Sequence, residues 1–206
     1  MQRNMNRSIP AEEAVSPMIV SEMANSPEYP ALEADIPVIT SEGKSNVKIA
    51  GVKSKNKLVR YTIPETLLRA DENFLALMVE AEKYIGYPYV YGGSKPSTGF
   101  DCSGFVCWVF RESGVYDTGR LGAKGLYSLC TDVSRDEARP GDLVFFTKTM
   151  GADVKGITHV GIYVGNDMML HAGDPVGFAD LQSDKWAKKI YAFGRLPVQQ
   201  GAQADE

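Results

Sequence analysis

Histidine is the scarcest residue type in this chain that can carry a proton at neutral pH, with two in 206 residues, and cysteine is nearly as rare, with three. An odd cysteine count with no CxxC pair argues against a disulfide framework and against a zinc ribbon, so free thiols are the expectation. Long apolar runs are also missing. Nothing approaches the roughly 20 residues that span a bilayer, so no transmembrane segment is expected. The opening "MQRNMNRSIPAEEAV" has basic residues with no apolar stretch behind them, so no export signal is visible. Charge of one sign is lacking too. The net charge is −4, and from residue 65 onward 14 basic residues face 19 acidic ones, which is not the clustered positive charge of a nucleic-acid binder.

What is present is an ordinary globular composition, 44% hydrophobic and 23% charged. Residues 1–60 read as a flexible arm or linker: Pro, Ser, Ala and Glu dominate the first 39, and order could begin from about residue 44 in the basic "GKSNVKIAGVKSKNKLVR". Residues 61–198 are expected to form the domain, and 199–206 a disordered tail. In "ADENFLALMVEAEKYIG", Phe74, Leu77, Met78, Ala81 and Ile85 recur at helical spacing and Gly86 supplies a stop. A second helix is expected from Cys102 to Ser113, ended by Gly114. "RPGDLVFF" reads as a turn feeding a strand, "THVGIYVGNDMMLHA" as a hairpin, and "KKIYAFGRLP" as a last strand. Helices followed by antiparallel strands make an α+β pattern.

The chemistry concentrates in "GFDCSGFVCWVF". Cys107, among apolar neighbours, reads as core. Cys102 stands at the helix start between Asp101 and Ser103, where the helix dipole and unpaired backbone N–H groups favour a thiolate. A thiolate nucleophile needs a proton carrier, and the histidines are the candidates. Strand alternation puts His159 on the face opposite Val160, Ile162 and Val164. If the hairpin loop has three residues, His171 falls opposite Gly161 and shares the face of His159; a two-residue loop would turn it away. A lone strand histidine is more often a surface or core residue, but two on one face beside Cys102 point to a site. Asp142 reads as a turn residue, Trp108 as core, Cys130 as an incidental thiol, and Tyr91 and Tyr163 as packing.

"YPYVYGGSKPSTGFDCSGFVCWVF", "RPGDLVFF" and "THVGIYVGNDMMLHA", in that order, resemble the NlpC-type cell-wall cysteine peptidases over about residues 72 to 197. The resemblance implies a papain-like α+β fold: N-terminal helices, with the nucleophile at a helix start, packed on an antiparallel sheet. It implies Cys102 as nucleophile, His159 as base and acid, His171 as the group orienting the imidazole, Tyr89 near the oxyanion, and Asp101 and Ser103 contacting the peptide stem. The implied substrate is peptidoglycan or a muropeptide, commonly cut after γ-D-glutamate, with no cofactor or metal. The implied place of action is the cell wall, outside the cytoplasm. With no signal peptide visible, phage or conjugation machinery, a lost upstream part or an imported muropeptide are the open explanations. A catalytically idle wall-binding module of the same fold is the alternative, and a metal site built from Cys102, Cys130, His159 and His171 is disfavoured by irregular spacing.

Overall fold

Apolar residues at three- and four-residue steps produce the first long helix as the spacing predicts. In the computed structural model, which describes residues 39–151 and 153–198, α1 spans Glu65–Leu68 and α2 spans Glu72–Glu82. Asp71 caps α2 by accepting from the Asn73 and Phe74 amides, and Phe74, Leu77, Met78 and Ala81 are buried. Helix α3 is Cys102–Glu112, and Gly114 just beyond it takes φ +75°, the left-handed conformation that ends helices.

The expected first part of the arm and the C-terminal tail lie outside the described residues. From Ile39 the chain forms strands β1 (Ile39–Lys44), β2 (Lys48–Ile49), β3 (Val52–Lys53) and β4 (Lys57–Tyr61), with β1 antiparallel to β4 and β2 to β3. A domain boundary at residue 61 therefore falls at the end of a strand whose Leu58 and Tyr61 are buried in the core. The short β5 (Ser94–Lys95) and β6 (Gly99–Phe100) lead into α3. Between α3 and the strand of "RPGDLVFF" the chain forms α4 (Ala123–Leu129) and β7 (Thr131–Val133), neither foreseen. Helix α4 has seven residues, a glycine inside it and no side-chain cap, so its local signal is weak.

Strands β8 (Leu143–Thr147), β9 (Ile157–Gly165), β10 (Met168–Ala172), β11 (Val176–Asp180) and β12 (Ile190–Arg195) join β7 in one antiparallel sheet of order β11-β10-β9-β8-β12-β7. Both faces are covered. Leu143, Phe145, Val160, Ile162, Met168 and Leu170 join the core beneath α2 and α3, while Val144, Phe146, Met169 and Phe193 pack with Leu181 and Trp186 on the other side. Asp142, buried in the turn before β8, accepts from Arg195 at 2.7 and 2.8 Å and from the Arg139 amide at 2.8 Å, so its work is structural.

Candidate active site

The start of α3 is held by a carboxylate. Asp101 Oδ1 accepts from the Gly104 amide at 2.6 Å and from the Ser103 hydroxyl at 3.0 Å, and Oδ2 accepts from the Gly92 amide at 3.1 Å and from Arg120 at 2.8 Å. Arg120 also donates to Ser103 Oγ at 3.1 Å. Asp101 and Ser103, expected to meet substrate, thus first serve as cap and anchor for the loop that runs into the helix. Arg120 went unforeseen because it lies in "YDTGRLGAKG", with no local pattern to mark it. Gly104 allows a tight approach: a Cβ there would run into the carbonyl oxygen of Gly93.

Cys102 is 7% exposed. Burial pushes its thiol up to about 11, the Asp101 carboxylate adds to this, and the amides of Val160, Ser103 and Cys102 itself pull the other way. The thiolate expected from the helix start is therefore outweighed at rest by desolvation. Tyr89 is half-buried close enough to feel Cys102 and Asp101, and burial first, then those charges, hold its phenol protonated. Its backbone amide reaches Asp174 Oδ1 at 3.5 Å.

The hairpin that carries the histidines solves its register in an unexpected way. The loop is the two residues Asn166 and Asp167, both at positive φ (50° and 52°), as the right-handed twist of a tight hairpin requires. Met168 pairs with Gly165, a bulge follows, and Met169 then pairs with Tyr163 and Leu170 with Ile162. The bulge restores the register of a three-residue loop, so His159 and His171 share a face. His159 Nε2 and His171 Nδ1 are 2.8 Å apart. Both rings are buried, which drives His159 down to about 3 and His171 well below its usual value, and Lys185 lowers both further.

Strand pairing between β9 and β10 stops at Leu170 and Ile162, although β10 continues beside β11 to Ala172 and Val176. The Tyr163 amide points to the Asp142 side, so by alternation the Val160 amide points toward β10. There the strands have parted, and that amide bonds the Cys102 sulfur instead. The nucleophile candidate on the helix side and the imidazole pair on the other side meet the sheet at this split, one residue apart along β9.

Trp186, which sequence reading passed over, closes the histidine side. Its ring stacks on His159 at 5.2 Å and 28°, meets His171 edge-on at 5.0 Å, and rests on Phe146 at 4.8 Å. Tyr91 is 78% exposed and does no packing, whereas Tyr163 meets Phe193 edge-on at 5.6 Å. All three cysteines are free; Cys107 is buried with its sulfur 3.6 Å from the Leu121 carbonyl, and Cys130 sits 3.3 Å from that of Leu126. Among the described residues no group of three or more His, Cys, Asp or Glu side chains could hold a metal ion.

The NlpC/P60 family model matches residues 86–195. The chain is 46% identical over 121 residues to the bifunctional muramidase/DL-endopeptidase CwlT of Bacillus subtilis, covering 58% of this chain and 36% of that one. It is 40% identical over 120 residues to the gamma-DL-glutamyl hydrolase of the same organism, covering 57% and 28%. Both relatives are thus spanned over only about a third of their length. A solved NLP/P60-family structure from Staphylococcus aureus, described as similar to lipoprotein, superposes with TM-score 0.57 at 41% identity, covering 61% of this chain and 42% of that one.

Proposed function

The chain belongs to the NlpC/P60 family, and from that premise we propose that it is a cysteine peptidase hydrolysing amide bonds in the peptide stems of peptidoglycan, at the bond after γ-D-glutamate. The observation that carries the reading is the 2.8 Å bond between the two histidines of the chain. With Nε2 of His159 engaged by His171, Nδ1 is the nitrogen left to exchange a proton with Cys102. The relatives' names, DL-endopeptidase and gamma-DL-glutamyl hydrolase, support the choice of bond. The wall is the proposed place of action; among the described residues no helix is long and apolar enough to cross a membrane.

The resting pair is neutral, thiol and imidazole, because burial disfavours charge on both. As the sulfur attacks the carbonyl carbon, its proton passes to His159 Nδ1 while Nε2–H donates to His171 Nδ1. The oxyanion is held by the Cys102 amide, which has no partner within the helix and rests against its own sulfur, and by the protonated Tyr89 hydroxyl. The Nδ1 proton then moves to the departing amine, and water, deprotonated by the same nitrogen, releases the acyl group from sulfur. Asp101 and Ser103, fixed by Arg120, form the wall on the stem side.

The test is digestion of purified peptidoglycan and of soluble muropeptides, with mass spectrometry of the fragments. Products ending in γ-D-glutamate from the wild type and none from Cys102→Ala are expected. Unchanged turnover in Cys102→Ala would overturn the nucleophile, and tight binding with no cleavage by the wild type would favour the idle module.

A further inference from the structure

In the proposed reaction a positive charge appears on a buried imidazole, and the usual means of stabilising it is absent. Among the described residues neither histidine has a carboxylate partner: each imidazole hydrogen-bonds the other. The charged group whose field reaches both rings is Lys185, which opposes protonation. What faces His159 is aromatic, Trp186 stacked at 5.2 Å and Phe146 tilted at 5.8 Å. A stacked indole presents the electron-rich face that attracts a cation, and it does so most strongly where water is excluded.

We propose that Trp186 is a positioning residue that fixes the His159–His171 pair and, through its π face, stabilises the imidazolium that forms on His159 during acyl transfer. Three features converge on it. The stacking contact holds the His159 ring plane, the edge contact at 83° blocks rotation of His171, and the indole is itself buried against Phe146. Lys185 lies with its ammonium 5.1 Å from the centre of the same indole, a further contact that fixes the ring. The indole thus takes the electrostatic role of the carboxylate in an acid-containing triad, without adding a titratable group. The interaction strengthens only as charge develops, so its loss should lower kcat and leave KM unchanged.

The inference rests on the peptidase reading, and the experiment separates the two. The chain has two tryptophans, so Trp108→Phe leaves Trp186 as the sole indole. Biosynthetic replacement of that indole with mono-, di- and trifluorotryptophan weakens the π face with little change of shape. On a γ-D-glutamyl muropeptide, log kcat is expected to fall with each fluorine at constant KM. Trp186→Leu, if folded, should lose roughly ten- to thirtyfold in kcat, and Trp186→Phe less. If the Trp108→Phe protein cleaves but the fluorine series is flat, the role of Trp186 is overturned and the peptidase reading stands. A loss in Trp186→Leu beside a flat series would reduce Trp186 to packing and overturn the π contribution. If the wild type cleaves no muropeptide, both readings fall.

Discussion

Cys102 and Cys107 lie five residues apart on one helix in different chemical settings. Cys102 has three backbone amides at its sulfur and a split sheet in front of it, while Cys107 has packing and one carbonyl. Because the Cys102 thiol is raised to about 11, its alkylation by iodoacetamide should be slow at pH 7 and still accelerating past pH 9. A rate already level between pH 5 and 8 would reveal a preformed thiolate–imidazolium pair. The histidines make a second residue-level prediction. Both are held neutral by burial, so their folded pKa lies below the unfolded value of 6.5. The unfolded chain then takes up protons first, and stability is complete above pH 6.5 and falls as the pH drops toward 3. At pH 5 His159 should cost on the order of 2 kcal/mol, and His171 adds to this in the same direction. The urea midpoint should be clearly lower at pH 5 than at 7.5, and His171→Gln should narrow that difference. Equal midpoints would mean that the imidazoles are hydrated or paired with charge.

At the scale of elements, the β9–β10 hairpin sets the imidazole geometry. Gly161 lies beside the pair, and a Cβ there would come 2.8 Å from Met169 Sδ and 3.1 Å from His171 Cβ. Methionine can yield, but the His171 backbone cannot move far without opening β10 from β11. Gly161→Ala is therefore expected to fold, with a melting temperature within a few degrees of wild type, and to lose at least tenfold in kcat as His171 shifts. Wild-type kcat would show that the pair tolerates displacement. His171 itself should grade by chemistry: Gln, whose amide oxygen can accept from His159 Nε2–H, should keep part of the activity. His171→Ala should keep less, and His159→Ala least, since it removes the proposed proton carrier. Kinetics on one muropeptide would give that order; equal rates for His171→Ala and wild type would remove the orienting role.

At the scale of the whole molecule, the question is where the domain begins. Sequence composition suggested that a chain starting near Tyr61 would suffice, yet Leu58 is buried, and a Cβ on Gly177 of β11 would come 3.0 Å from both the Leu58 side chain and the Val59 carbonyl oxygen. Strand β4 thus covers the sheet beside β11. A chain starting at Tyr61 should be less stable by about 2 to 3 kcal/mol than one starting at Ile39, from loss of the Leu58 side chain alone. Equal denaturation midpoints would show β1 and β4 to be an ornament on a domain complete without them.

The amino-acid sequence by itself determined the α+β class, helices α2 and α3 with the start of α3 at Cys102, and the strand on which His159 sits. These follow from neighbours within about four residues, through apolar period, capping and turn chemistry. Tertiary structure decided what depends on distant partners. The loop has two residues, which alone would turn His171 away, and the bulge before the turn brings it back; no local pattern marks a bulge in an unbroken β-forming run. The parting of β9 from β10, which turns the Val160 amide to Cys102, is visible only when both strands are paired. Arg120, Trp186 and the packing of β4 beside β11 were likewise illegible. A guanidinium reaching back 19 residues to Asp101, or an indole reaching back 27 to His159, is selected by three-dimensional packing, and spacing along a chain carries no record of it.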